Sequence, residues 1–216
     1  GLAAGTQACE AICSGLLELI ERDVTSQMTI ATASRVDLAS LPSAAGELAE
    51  RFTNAGVDLR VSWLRSKTGV PVFHGFSRDD HLRLSQFFCS GAGAHPQPLV
   101  ALTRALTEVA QSRSGYITTI RDDVSDMAES LAQVPYQRRR ADLAGWFAAT
   151  EAVDFECVPA VTTPQTFRTM LRDLVERIRA SCSPTVVAWV PLYDGVSLHA
   201  CRVYCPQLRN PSVDLD

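Results

Sequence analysis

Hydrophobic spacing divides the chain into helices and strands before any motif is considered. From Thr6, read as an N-cap, to about Val24, residues Ile12, Leu16, Leu19, Ile20 and Val24 fall on one broad side of a helical wheel, with Ser14, Glu18 and Glu21 on the other. A second helix is predicted over 43–55, ending at Gly56. Residues 57–64 alternate apolar and polar, the pattern of a half-buried strand. After the turn Lys67-Thr68-Gly69, strands are predicted at 70–76 and 82–89, with Pro71 placing the first near an edge or marking its first residue. Residues 90–96 read as a loop, followed by a strong helix from about Pro98 to Arg113. Weaker helices are expected at 122–133 and 143–151, and a clear one at 166–180. Strands at 185–190 and 196–204 flank Asp194-Gly195, and residues 1–6 read as a glycine-containing turn.

Strands joined by short turns pair antiparallel, so the expected class is α+β rather than doubly wound α/β. The order helix, strand, turn, strand occurs at 47–76 and again at 167–204, which hints at duplicated α-β-β units without sequence identity between them. No linker divides the 216 residues, and the length suits one sizeable domain. With 46% hydrophobic residues the chain has enough apolar content for a core, which excludes a disordered polypeptide. The net charge of −4 offers no basic stripe for nucleic acid, although Arg138, Arg139 and Arg140 form a local run. No apolar run approaches the ~18 residues of a membrane span. The seven cysteines are scattered and none forms a C-x-x-C pair, so free thiols in a reducing, cytoplasmic compartment are expected.

Candidate chemistry lies on two helices. Ser14, Glu18 and Glu21 follow one another by steps of four and three, placing them on one helical face. That face reads either as solvated surface, with Arg22 offsetting Glu18, or as oxygen ligands for Mg²⁺. On the later helix Arg104, Glu108 and Gln111 share a face, while Arg113 points away if the helix stays regular. Here the alternatives are an Arg104–Glu108 surface pair or oxygen ligands beside a phosphate-neutralising arginine. The sequence Gly91-Ala92-Gly93-Ala94-His95-Pro96 is neither a P-loop nor a dinucleotide fingerprint, and His95 reads first as a loop-fixing residue. No G-x-S-x-G elbow is present, and Lys67, the only lysine, sits at a turn.

Taken in order, these stretches resemble the YcaO-domain family. Its three ATP–magnesium motifs, S-x-x-x-E, E-x-x-E and E-x-x-Q-x-R, are matched by Ser14 to Glu18, Glu18 to Glu21, and Glu108-Val-Ala-Gln111-Ser-Arg113. Gly1-Leu-Ala-Ala-Gly5, Glu21-Arg22-Asp23, the Gly91–Pro96 stretch, Thr103–Glu108 and Arg121-Asp122-Asp123 resemble further family elements, and the likeness runs over most of residues 1–209.

The resemblance implies a single YcaO-like domain of mixed, mainly antiparallel sheets packed with helices. It also implies ATP- and Mg²⁺-dependent activation of a peptide backbone amide, by phosphorylation, toward a thioamide, azoline or related product. By matching motif, Glu18, Glu21, Glu108 and Gln111 would hold Mg²⁺ and ATP phosphates, and Ser14 and Arg113 would contact the nucleotide. The partners implied are a peptide or protein substrate and a TfuA-like or substrate-presenting protein, with no nucleic acid and no membrane; a homodimer is compatible with this. Two departures bear on activity. The family's glycine–alanine turn lies well inside its domain but is residue 1 here, so this chain is expected to lack a preceding segment. The P-x-P-x-P tail of many azoline-forming members is absent, and the C-terminal element reads Pro206-Gln-Leu-Arg209. The contrasting expectation is a non-catalytic scaffold that keeps the fold.

Overall fold

A computed structural model describes residues 1–81, 84, 88–118, 134–148, 151–161 and 166–209. Its elements are β1 (Leu2–Gly5), α1 (Ala8–Thr25), β2 (Ala33–Arg35), α2 (Ser43–Asn54), β3 (Asp58–Leu64), β4 (Val72–Arg78), β5 (Cys89–Ala94), α3 (Pro98–Thr118), α4 (Tyr136–Asp142), α5 (Ala144–Phe147), α6 (Phe167–Ser181), β6 (Ala188–Asp194) and β7 (His199–Tyr204). Two antiparallel sheets form, in the orders β1-β7-β6 and β2-β3-β4-β5, which bears out the α+β class.

Alternation along β3 and β4 sends neighbouring residues to opposite faces of the larger sheet. Leu59, Val61 and Phe73 join α2 and α3 in one core cluster. Leu64, Val72 and Ala94 join α1, α6 and β7 in another. Helix α1 therefore lies between the two sheets, and not one of its residues is fully exposed. Leu16, Leu17 and Ile20 are at most 1% exposed, each contributing about 1.5–3 kcal/mol by burial. Both anticipated α-β-β units are present, but they pack differently: α2 rests on β3 and α3, whereas α6 rests on α1.

Several local expectations are corrected. Residues 2–5 are strand, not turn, because the backbone pairs with β7, where the Val203 N–H donates to the Gly1 carbonyl at 2.8 Å. Thr6 does not cap α1. Gln7 occupies that position, and Thr6 gives both its N–H and its hydroxyl to the Glu10 carboxylate, at 2.7 Å each, holding Glu10 below the usual carboxylate range. The strand foreseen at 82–89 falls largely outside the described residues; β5 runs from Cys89 through the stretch read as a loop, since close packing on α3 selects small residues there. Helix α3 continues through Gly115 to Thr118. Of the helix foreseen at 143–151 the described residues show α5 over Ala144–Phe147, preceded by the unforeseen α4, and the helix at 122–133 lies outside the described residues.

Helix α6 starts one residue later than predicted, capped by Thr166, whose hydroxyl accepts the Thr169 N–H while Thr169 bonds back. Thr166→Ala is expected to cost about 1 kcal/mol, read as a lower urea midpoint. All seven cysteines are free thiols, as expected, with Cys13, Cys89, Cys201 and Cys205 buried. Among the described residues no helix is long and apolar enough to cross a membrane.

Candidate functional site

The site is assembled by two equivalent strand–helix units. Strand β1 lies so close to α1 that a Cβ on Gly1 would fall 2.1 Å from the Gly15 carbonyl oxygen. Strand β5 lies as close to α3, where a Cβ on Gly91 would fall 2.4 Å from the Val109 nitrogen and one on Gly93 2.2 Å from the Ala101 oxygen. Both are edge strands, so alternate N–H groups point away from the sheet and need partners. Each helix supplies one. The Leu2 N–H donates to Glu18 Oε2 at 2.8 Å, and the Ala92 N–H donates to Glu108 Oε2 at 2.8 Å. In both units donor and acceptor are 16 residues apart. The offset that carries Glu18 to Glu108 also carries Ser14 to Arg104 and Glu21 to Gln111. The glycines are thus needed for close helix approach, which aims a carboxylate at the strand edge.

The two helices meet electrostatically at Glu21. Its carboxyl is pushed from 4.5 to about 7, first by burial and then by the negative charges of Glu108 and Glu18, with Arg104 and Arg22 opposing. Arg22 Nε is 2.9 Å from Glu18 Oε1. Three carboxylates and two guanidinium groups therefore share one half-buried region, and the face read as either surface or ligand set is not simple surface. Ser14 is half-buried on α1, one turn before Glu18, and Gln111 is exposed on α3, one turn after Glu108. Arg113 is not brought to this group. Because α3 stays regular, Arg113 reaches the other way, and its Nη2 lies 2.7 Å from Oδ2 of the buried Asp79.

His95 fixes the start of α3: its Nδ1 accepts the Gln97 N–H at 3.0 Å, and burial, aided by Arg104, holds its pKa down at about 4. Sequence reading missed a long-range anchor. Buried Asp23 pairs with Lys67 Nζ at 3.2 Å and accepts the Arg209 N–H at 2.8 Å, while Lys67 also donates to the Gln207 carbonyl at 3.1 Å. The Pro206–Arg209 element is thereby pinned to the end of α1, and only the lone lysine beside an otherwise arginine-only set could have signalled it. Arg121, Asp122 and Asp123 lie outside the described residues.

No three His, Cys, Asp or Glu side chains among the described residues form a ready-made metal cage. The donor set suits Mg²⁺ nonetheless, because that ion is held by one or two carboxylates together with phosphate oxygens and water. A divalent cation would also relieve the repulsion that raises Glu21.

Residues 1–209 match the family described as YcaO cyclodehydratase, ATP- and Mg²⁺-binding. An uncharacterised protein of Methanothermobacter thermautotrophicus is 33% identical over 218 residues, covering 99% of this chain and 56% of the relative. An uncharacterised protein in the tfuA 3′ region of Rhizobium leguminosarum bv. trifolii is 36% identical over 137 residues, covering 58% of this chain and 32% of the relative. The structure of YcaO from Methanopyrus kandleri bound with AMPPCP and Mg²⁺ superposes with a TM-score of 0.79 at 24% identity, over 99% of this chain and 56% of that one. This chain belongs to the YcaO family, and it spans little more than half, or less, of these proteins.

Proposed function

We infer that the chain carries the nucleotide- and metal-binding part of an ATP-dependent enzyme that activates a peptide backbone amide. The observation that supports this reading most is the convergence of Glu18, Glu21 and Glu108 from two helices, with Glu21 raised to about 7 by burial and then by the charges of the other two. Glu18, Glu21, Glu108 and Gln111 would hold Mg²⁺, which supplies charge neutralisation for the phosphates. Arg22 and Arg104 stand beside the carboxylates to meet phosphate oxygens, with Ser14 toward the nucleotide. Arg113 acts through Asp79, as a positioning residue for α3.

The reaction takes the γ-phosphoryl group of ATP onto the oxyanion formed when a nucleophile adds to the amide carbonyl. Loss of phosphate then removes the original carbonyl oxygen. Such transfer needs positioning and charge stabilisation more than covalent help from the protein. A thioamide is the favoured product, because one relative is described as lying in the tfuA 3′ region. A TfuA-like protein is the corresponding partner, and a cytoplasmic location fits the free thiols.

Calorimetry with Mg²⁺–ATP and with ATP in EDTA tests this. Binding is expected only with the metal present, accompanied by phosphate release. An absence of binding in both would point to a scaffold that retains the fold without the activity.

A further inference from the structure

On the larger sheet, away from the carboxylates, two polar side chains sit side by side and mostly buried. Ser62 on β3 lies directly opposite His74 on β4, so both project from the same face. They are 8% and 6% exposed. The two differ in access: His74 Nδ1 is sealed off and makes no hydrogen bond among the described residues, whereas Ser62 faces a cavity. The imidazole is neutral, held at about 4 by burial, so it offers one N–H and one acceptor nitrogen. Buried groups of this kind are normally satisfied, and an exception calls for an explanation.

For Ser62 the explanation lies beside it. Ser62 lines an open cavity of about 280 Å³ whose other walls include Ser34, Arg35, Trp146 and Glu151. The Trp146 ring is 6.5 Å from the His74 ring, centre to centre. We propose that this cavity is a subsite for one residue of a peptide, its side chain against Trp146 and its backbone amide toward Ser62. An amide carries both a donor and an acceptor, and the Ser62 hydroxyl, which lines the cavity, can meet either. Arg35 and Glu151 at the rim suit charged neighbours in a peptide, whereas a purine carries no charge to meet either. The cavity adjoins β2 and β3, and Glu108 stands beyond β5 at the opposite edge. Three strand spacings make about 15 Å. An extended peptide covers that in about four or five residues. The subsite would thus read substrate sequence at a distance from the reacting amide, which rests on the peptide-activating function inferred above.

Fluorine NMR of 5-fluorotryptophan-labelled protein tests the proposal, with N-acetyl-phenylalanine methylamide and N-acetyl-leucine methylamide as probes. Trp63, Trp146 and Trp189 give three resonances, and Trp146→Phe assigns the one of interest. The probes are expected to shift Trp146 alone. Ser62→Ala should weaken them about fivefold, the worth of one hydrogen bond. Ser62→Met, which fills the cavity, should abolish the shift, with unmoved Trp63 and Trp189 resonances reporting an intact fold. Mg²⁺–ATP affinity should stay unchanged in both variants. A Trp146 resonance indifferent to both probes overturns the proposal and leaves the ATP reading standing. A shift produced by adenosine instead overturns it by making the cavity a base pocket. A Trp146 response in a protein that fails to bind Mg²⁺–ATP upholds the subsite and removes the ATP reading.

Discussion

Glu21→Gln is expected to make the protein more stable at pH 8 while removing its response to Mg²⁺–ATP. In the unfolded chain Glu21 ionises near its ordinary value of 4.5, whereas in the fold it keeps its proton to about 7. Between those values the folded state binds more protons than the unfolded one, so stability falls as pH rises from 4.5 to about 7 and then levels off. The cost is therefore complete at pH 8 and absent below pH 4.5. The raised pKa sets a ceiling of about 3 kcal/mol, and solvent screening at a half-buried site lowers the expected gain to about 1–2 kcal/mol. Glutamine keeps the shape and removes the charge, so it recovers that amount at pH 8 and little at pH 5.

Metal binding has the opposite sign, because the cation must displace the proton. Mg²⁺–ATP should raise the melting temperature of the wild type more at pH 8 than at pH 6, and should leave Glu21→Gln unmoved at either. Melting curves at the two pH values, with and without Mg²⁺–ATP, decide the matter. A variant less stable than wild type at pH 8, or one still stabilised by Mg²⁺–ATP, would remove Glu21 from the site.

Much of the architecture was legible from spacing alone. The alternation through Val61 and Leu64 and the capped start at Thr166 depend on local pattern, and both appear in the structure within a few residues. The motif residues Glu18, Glu21 and Glu108 were also legible, but the geometry that joins them was not. Composition made Gly1–Gly5 a turn and Ser90–Pro96 a loop, because glycine-rich stretches usually serve those ends. What decides here is a helix packed against each stretch, which no local signal carries. The same holds for Asp23. Its neighbours in sequence suggest an exposed helix end, yet a lysine and a backbone amide from distant segments meet it in the interior.

The equivalence of the two strand–helix units explains why Glu18 and Glu108 point so specifically. An outward N–H on an edge strand is a fixed donor, so a carboxylate that accepts it loses rotamer freedom before any ligand arrives. Oε2 takes the amide in both cases, and the second oxygen of Glu18 meets Arg22. The site is thus preorganised chiefly by backbone, with Arg22 helping at Glu18, and the strands that aim the carboxylates carry no functional side chain at all.

Gly91→Ala is the substitution that separates this account from a merely flexible glycine loop. The added Cβ would lie 2.4 Å from the Val109 nitrogen and 2.7 Å from the Glu108 Cβ, both on α3. Backbone cannot rotate away, and α3 is fixed in the core by its own residues Ala101, Leu102, Ala105 and Leu106, each at most 1% exposed. The helix must shift as a body, at a cost of about 3 kcal/mol, the upper end for overpacking in a core. The shift also breaks the 2.8 Å bond from Ala92 to Glu108 and moves Glu108 away from Glu21. Urea unfolding should show the loss in stability, and calorimetry a loss of Mg²⁺–ATP affinity larger than stability alone explains when measured where the variant is folded. Gly46→Ala serves as the control, because its Cβ would meet only the Leu41 carbonyl oxygen at 3.8 Å within α2. That change should raise stability by about 0.5–1 kcal/mol, as alanine does in a helix interior, and leave nucleotide binding alone. Equal behaviour of the two variants would mean that the glycine strand does not set the position of Glu108.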